Sequence, residues 1–158
     1  MNNIPEKNTR FYILVGDQMN WKIALTKNIW GFTAKNHGSW NTSNVGDFLA
    51  FYVTIPIQKI VGLGQITRKF EGEDFVWPDE KFFKRILWKH RIQFSIFHLI
   101  KNWDKGIHPP PNFMLNSGRR VIPKEGYLSL VNDADKKWKT NLMEQILIKI
   151  NDQENLQN

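Results

Sequence analysis

The chain has 158 residues and no cysteine, which excludes a disulfide framework, a thiol nucleophile and a thiolate metal site. Its length suits a single domain, and 41% hydrophobic with 23% charged residues is ordinary for a globular protein. The net charge of +7 favours a polyanionic partner such as nucleic acid, although many basic proteins bind no polyanion. A polar N-terminus and the absence of a long apolar run predict a soluble, intracellular, cytoplasmic protein without membrane contact.

The N-terminal part of the chain predicts a buried strand followed by a short helix. Residues 11–15 (FYILV) are five consecutive apolar residues, a pattern typical of a strand buried on both faces. After a turn, Asn20 is a suitable N-cap for a helix over residues 21–27, whose apolar face includes Trp21. Trp30 and Gly31 follow the end of this helix.

Two further strands are predicted in the middle of the chain. The turn at 45–47 (VGD) precedes an apolar strand over residues 48–53, and a third strand covers residues 59–69. Gly62 and Gly64 lie on the same face of that third strand, because side chains alternate along a strand. This spacing indicates sharp coiling of a barrel or a close approach by another backbone.

The C-terminal half predicts a strand pair, a loop and a helix within one domain over residues 1–158, with its core at 10–150. Residues 82–96 mix aromatic, β-branched and basic residues in a pattern that suits a long pair of strands. Three successive prolines predict an extended loop over residues 107–118, either a functional flap or a tether. Helical spacing predicts a C-terminal helix over residues 134–150 with Asp133 as N-cap, followed by a frayed tail over 151–158.

The sequence contains no strong catalytic motif. The four histidines, at positions 37, 90, 98 and 108, do not show metal-ligand spacing, and the common nucleophile and nucleotide-phosphate motifs are absent. An acidic cluster over residues 71–80 could supply an acid–base pair, but a solvated loop is the favoured interpretation. We therefore expect no metal and no cofactor, although a fold can assemble catalytic residues that a sequence does not reveal.

An ordered set of short motifs resembles the EVE domain family over roughly residues 10–132. The set comprises Asn20-Trp21, Ile29-Trp30-Gly31, the VGD turn with its apolar strand, KIVGLGQIT, FVWPDE and a closing segment over 118–130. The chain departs from the family pattern at Val45, where a proline is typical, and at residues 82–86, which replace a Tyr-Pro-Tyr-Arg-Val strand.

The resemblance implies a PUA-like fold similar to that of YTH domains. Such a fold is mixed α/β (α+β), with a curved β-barrel of about five to six strands flanked by short helices and a C-terminal helix. The resemblance also implies binding of a modified base, in DNA or RNA, within an aromatic pocket. Matched to this sequence, the pattern places Trp30 and Trp88 in the aromatic cage and Asn20 as the polar residue ten positions before Trp30.

Other residues are candidates for the same base pocket. Asp17 and Asn20 could read the edge of a base, and Gly31 would let the base approach the backbone. Tyr52 is an alternative second wall, and Trp21 is a further candidate whose buried helix face favours a role in the core. Basic residues predicted to contact phosphates, which would make the affinity salt-dependent, are Lys35, His37, Arg68, Lys69, Lys84, Arg85, Lys89 and Arg91.

Three functions follow from these features. The first is a non-enzymatic reader that takes one modified base, flipped or single-stranded, from DNA or RNA into the aromatic cage. The second is a small hydrolase acting on modified nucleosides, motivated by the acidic cluster and the histidines. The third is a protein-interaction module in which the proline-rich loop docks a partner.

Overall fold

The computed structural model describes residues 8–111 and 118–156 of the chain. In these ranges the strands are β1 Phe11–Gly16, β2 Ile29–Phe32, β3 Phe48–Val53, β4 Lys59–Glu71, β5 His90–Leu99 and β6 Gly118–Ile122. The helices are α1 Gln18–Lys27, α2 His37–Thr42, α3 Pro78–Phe83, α4 Lys124–Trp138 and α5 Leu142–Asn155. None of the helices in these ranges is long and apolar enough to cross a membrane.

The strands form one mixed sheet in the order β2-β5-β4-β3-β1-β6, which curls into a half-barrel. The neighbouring strands β1 and β3 are parallel, and all the other pairs are antiparallel. The register between β4 and β5 shifts at Leu63/Gly64, an irregularity that bends a strand. A Cβ at Gly62 would lie 2.8 Å from the carbonyl oxygen of His98, so the expected close approach of another backbone occurs here.

Side chains from the two faces of the sheet form two hydrophobic layers. Along β1, the side chains of Phe11, Ile13 and Val15 pack with α4 and α5, whereas those of Tyr12 and Leu14 pack in a second cluster that includes Trp21. This division explains why the β1 sequence is apolar without alternation. The predicted strands at 11–15, 48–53 and 59–69 are therefore confirmed.

Helix α1 begins earlier than predicted, and its N-cap is Asp17 instead of Asn20. The Asp17 carboxylate accepts a hydrogen bond from the Asn20 backbone N–H at 2.7 Å, which satisfies one of the free donors of the first turn. The helix ends at Asn28 in the left-handed conformation. Trp30 consequently lies within strand β2, where its neighbours in β5 fix its direction.

The predicted strand pair over residues 82–96 is wrong in its first half. Residues Pro78–Phe83 form helix α3, and only His90–Leu99 form a strand. Pro78 occupies the first helical turn, and the Glu80 carboxylate accepts hydrogen bonds from backbone N–H groups at the start of the helix. These local interactions favour a helix over the alternating pattern that follows.

The single predicted C-terminal helix is in fact two helices. Lys139 adopts the left-handed conformation and ends α4, so that Asp133 lies inside this helix instead of capping one. The Asp135 carboxylate then accepts hydrogen bonds from the backbone N–H groups of Leu142 and Met143, at 2.7 and 2.8 Å, and thereby caps α5. Helix α5 continues to Asn155, so residues 151–155 are not a frayed tail.

Part of the predicted proline-rich loop lies outside the described residues, at 112–117. At its beginning, Ile107 forms an antiparallel bridge with Ile60 and is buried in the core between the sheet and α4 and α5.

Candidate functional site

A cavity of about 570 Å³ lies between the C-terminal end of β1 and the edge strand β2. This volume is within the range of about 300–1,000 Å³ that is common for small-ligand sites. Three indole side chains line the cavity, those of Trp30, Trp77 and Trp88. The polar residues that line it are Asp17, Asn20, Thr33, Lys35, Asn36 and Thr54.

Trp30 is held from behind by a second indole. Its ring packs on that of Trp21 with 4.4 Å between ring centroids, and Trp21 packs in turn on Phe51 at 5.0 Å. The Trp21 Nε1–H donates a hydrogen bond of 2.7 Å to the backbone oxygen of Tyr52. Because Trp21 is fully buried and hydrogen-bonded, the Trp30 ring has a rigid support.

Trp77 and Trp88 line the cavity from the segments that precede and follow α3. Their ring centroids lie 6.1 Å apart, with 53° between the ring planes. The Trp88 Nε1–H donates to both carboxylate oxygens of Asp79, at 2.9 and 3.1 Å, which orients this ring. We refer to the two rings together as the Trp77–Trp88 wall.

Two glycines provide the space that the indoles occupy. A Cβ at Gly31 would lie 2.7 Å from the Cβ of Trp88 and 2.9 Å from a ring carbon of Trp77. A Cβ at Gly16 would lie 3.1 Å from the ring of Trp30, with a second ring carbon closer still. Gly31 thus leaves room for the Trp77–Trp88 wall and also lines the cavity, so its proposed contact with a base stays a prediction.

The Glu80 carboxylate connects the two segments that carry this wall. One of its oxygens accepts hydrogen bonds from the backbone N–H groups of Val76 and Trp77, at 3.0 and 3.2 Å. The other accepts from those of Leu87 and Trp88, at 2.9 and 3.1 Å. Glu80 is fully buried, so one charged group holds both tryptophan-bearing segments together inside the protein.

The surroundings of Glu80 favour the ionised form of its carboxyl group. Burial alone would raise the pKa of its carboxyl group, but the four backbone donors outweigh burial and hold the pKa below its ordinary value. The buried Arg91 guanidinium lies 3.4 Å from each Glu80 oxygen and forms a second ion pair with Asp74. Arg91 is therefore unable to contact phosphates, and the acidic cluster is not simply a solvated loop, contrary to both predictions.

The polar rim of the cavity is centred on Asp17 and Asn20. Asp17 is exposed, and its carboxylate accepts hydrogen bonds from the backbone and side-chain N–H groups of Asn20, at 2.7 and 3.3 Å. The Asn20 side chain keeps a carbonyl oxygen and a second N–H that hydrogen-bond to none of the other residues described in the structure. Both kinds of group are available to a ligand in the cavity.

The structure brings together most of the predicted pocket residues. Trp30, Gly31, Asn20, Asp17 and Trp88 line the cavity.

Two predicted pocket residues lie elsewhere. The side chain of Tyr52 is buried in the hydrophobic layer beneath α4 and α5 because its neighbours in β3 point to the opposite face, so only its backbone oxygen supports the site. Trp21 lies behind Trp30. Trp77 was missed, although it occurs in the FVWPDE segment that carries the family resemblance, because the acidic segment around it was predicted to be a solvated loop.

Of the cations predicted to contact phosphates, Lys35 lines the cavity. Outside the cavity lining, Arg68 lies over Phe70, Lys69 over Trp40 and Arg85 over Phe83, and Lys89 pairs with Glu71 at 3.6 Å. Their contacts with phosphates stay predictions. His37 packs against His90, with 4.5 Å between ring centroids. Burial of His90, and to a smaller extent the nearby His37, lowers the pKa of His90.

The sequence matches no protein-family model and no curated protein. Several solved structures are similar in fold. An ASCH protein from Zymomonas mobilis is 12% identical, with a TM-score of 0.55 over 78% of this chain and 94% of that one. The YTH domain of the Zygosaccharomyces rouxii MRB1 protein, in complex with N6-methyladenosine RNA, is 14% identical, with a TM-score of 0.54 over 84% and 90% of the two chains.

A third similar structure is a complex of the YTH domain-containing protein mmi1 with RNA, which is 11% identical with a TM-score of 0.58 over 89% of this chain and 92% of that one. At such low identities the similarity concerns the fold alone. ASCH and YTH domains share the PUA-like α+β fold, so the predicted fold class is confirmed.

Proposed function

We propose that this PUA-like chain is a non-enzymatic reader that accepts one modified base from RNA or DNA into the cavity beside β2. The observation that carries the proposal is the convergence of three indoles on a single cavity with a polar rim. Trp30 lies on one side of the edge strand β2, and the Trp77–Trp88 wall packs against the opposite side at Gly31. A base at the free edge of this strand can contact indoles from both sides.

The energetics require a rigid pocket of this kind. Stacking of a base on aromatic rings contributes about 1–3 kcal/mol, whereas burial of one added methyl group contributes only about 0.8 kcal/mol. Discrimination between a methylated and an unmodified base therefore depends on pocket walls that do not move inward to fill the space left when the methyl group is absent. Trp21 behind Trp30, and Glu80 behind the Trp77–Trp88 wall, supply that rigidity.

Polar groups are available to recognise the edge of the base. Asn20 offers a carbonyl oxygen and an N–H, and Asp17 orients it. An edge strand such as β2 also presents backbone N–H and C=O groups that its sheet does not pair. Lys35 supplies positive charge at the rim for a backbone phosphate.

Similarity to known proteins supports a particular choice of first ligand. The MRB1 YTH domain, which has the same fold, is in complex with N6-methyladenosine RNA. We therefore propose methylated adenine in RNA as the first base to test, with DNA as the alternative. The motif order that includes Ile29-Trp30-Gly31 also leads us to propose that the chain is a member of the EVE family.

The arrangement of carboxylates supports binding over hydrolysis. Within residues 8–111 and 118–156, Asp17 is the one carboxylate that lines the cavity, and it is engaged by Asn20. In the acidic cluster, Asp79 accepts from Trp88, and Asp74 and Glu80 pair with Arg91. A hydrolase that uses a general acid and a general base needs two such groups within reach of the substrate.

Titration of oligonucleotides tests the proposal directly. Short single-stranded RNA and DNA, with and without one N6-methyladenine base, are titrated into wild type and Trp30→Ala, with binding followed by fluorescence anisotropy. We expect wild type to prefer the methylated strand and Trp30→Ala to lose the preference. Trp138→Ala is the matched control because Trp138 does not line this cavity, and it should bind as wild type does. Equal affinity of wild type and Trp30→Ala for every ligand would refute the proposal.

A second measurement separates a reader from an enzyme. The same oligonucleotides and the free nucleosides are incubated with the protein and then analysed by mass spectrometry. Saturable binding without turnover supports a reader. Conversion of the modified nucleoside by wild type, at a rate that Asp17→Asn reduces, would instead establish the hydrolase.

A further inference from the structure

Five consecutive exposed residues, Lys81–Arg85 (KFFKR), form an unusual surface at the end of α3. Phe82 is 79% exposed and Phe83 is 58% exposed, and their rings contact each other edge to face with 5.0 Å between centroids. Large apolar side chains exposed together commonly mark a binding surface. We refer to these two residues as the Phe82–Phe83 pair.

The pair belongs to α3, the helix that lies in the chain between Trp77 and Trp88 of the cavity wall. Asp79, whose carboxylate holds the indole N–H of Trp88, is one helical turn before Phe83 in α3. Residues three and four positions apart on a helix are neighbours on its surface, so both phenylalanines flank the residue that orients the cavity wall. The pair is therefore one helical turn from the residue that orients one indole of the cavity wall.

Positive charge surrounds the pair. Lys81, Lys84 and Arg85 are all exposed, and the Arg85 guanidinium lies 5.9 Å from the centre of the Phe83 ring. Within the part of the chain that the structure describes, none of these three cations forms an ion pair. Two exposed aromatic rings among unpaired cations match a partner that carries both planar bases and phosphates, namely a single nucleic-acid strand.

We propose that the Phe82–Phe83 pair stacks on a base next to the one held in the cavity, while Lys84 and Arg85 contact the intervening phosphates. This inference rests on the proposed function, since it assigns a binding surface to the nucleotide next to the base that the cavity holds. Stacking on an aromatic ring tolerates any base, because every base has a π-face. The pair therefore adds affinity for the strand, whereas the cavity supplies preference for the modification.

The experiment compares a double variant with a matched control. In Phe82→Ser/Phe83→Ser both changes are at exposed positions, so the fold should be retained, which circular dichroism and urea denaturation verify. Ile148→Ser is the control, because Ile148 is 56% exposed on the distant helix α5. The probes are a short single-stranded RNA with one N6-methyladenosine, its unmodified form, and the free N6-methyladenosine nucleoside.

The double variant should bind both RNA strands about tenfold or more weakly than wild type does. Its preference for the modified strand and its affinity for the free nucleoside should be unchanged, and Ile148→Ser should match wild type throughout. Unchanged affinity of the double variant for both strands overturns the inference, as does a wild type that binds neither strand.

Failure of the inference can be told apart from failure of the proposed function. If wild type prefers the modified strand, and the double variant binds each strand with the same affinity as wild type does, only the stacking surface is refuted. If wild type shows no preference and the double variant still loses affinity, the stacking surface is supported and the methylated adenine is rejected as the ligand.

Discussion

Replacement of Glu80 by glutamine tests whether its buried carboxylate holds together the two segments that carry Trp77 and Trp88. Glu80→Gln keeps the size of the side chain but removes its charge and one acceptor oxygen. Its amide NH₂ would then face two of the four backbone N–H groups that the carboxylate binds. The buried Arg91 would also lose one of its two carboxylate partners.

The expected loss of stability follows from these contacts. Each unsatisfied buried donor costs about 1–3 kcal/mol, and removal of one partner of a buried ion pair costs about 3–5 kcal/mol. Because Arg91 keeps Asp74 and the costs overlap, we expect Glu80→Gln to lower the free energy of unfolding by about 3–5 kcal/mol. Such a loss is a large part of the roughly 5–15 kcal/mol that stabilises a typical domain.

Urea denaturation, followed by tryptophan fluorescence, measures this loss. The matched control is Glu71→Gln, which removes the same charge from an exposed pair with Lys89 and should change stability by less than about 1 kcal/mol. Glu80→Gln should also weaken the proposed preference for a modified strand, because the carboxylate that joins the two segments of the Trp77–Trp88 wall is lost. A loss of stability no greater than that of Glu71→Gln would refute the role assigned to the Glu80 carboxylate.

The contribution of the Glu80 charge to the stability of the fold depends on pH. The pKa of Glu80 is lower in the folded protein than its ordinary value of 4.5, so its charge stabilises the fold fully above that pH. The stabilisation is lost as the pH falls through the lower, folded-state pKa. The difference in stability between wild type and Glu80→Gln should therefore be constant from pH 6 to 7 and should shrink below pH 4.5.

Two further predictions concern backbone positions. Gly31→Ala should lower the free energy of unfolding by about 1–3 kcal/mol and reduce the proposed preference for a modified strand, because its Cβ would lie 2.7 Å from the Cβ of Trp88. The control is Gly38→Ala, whose Cβ would have no neighbour within 4 Å, and it should be neutral or slightly stabilising. Equal urea midpoints for the two variants would contradict this. Asp135→Asn should lower stability by about 1–2 kcal/mol, because it weakens the cap of α5. An unchanged urea midpoint would show that the cap contributes nothing.

Local sequence patterns were sufficient for the first three predicted strands and for the end of the first helix, although not for its beginning. A strand such as β1, buried on both faces, needs apolar residues at every position, and this requirement is visible without knowledge of its neighbours. The tight glycine spacing in β4 likewise revealed a close backbone approach. Trp30 and Trp88 were found through the family resemblance, because their order along the chain matches that pattern.

Sequence patterns predicted the wrong secondary structure in two places, where a carboxylate binds backbone N–H groups of another segment. The segment after Trp77 has an alternation compatible with a strand, yet it is helical because Glu80 binds backbone N–H groups on both sides of it. Nothing in the local sequence shows that this carboxylate is buried, because some of the groups that satisfy it, the backbone N–H groups of Leu87 and Trp88 and the guanidinium of Arg91, are brought to it by the fold. The same holds for Asp135, whose capping of α5 divides the C-terminal region into two helices.

The sequence by itself determined the fold class, the excess of positive charge and the presence of several indoles. The tertiary structure alone decided which indoles share a cavity. Trp77 joins Trp88 because Gly31 leaves space for both and Glu80 binds both segments, while Tyr52 is directed into the core by its position in β3. These outcomes depend on contacts between separate segments, and such contacts form only when the curled sheet brings the segments together.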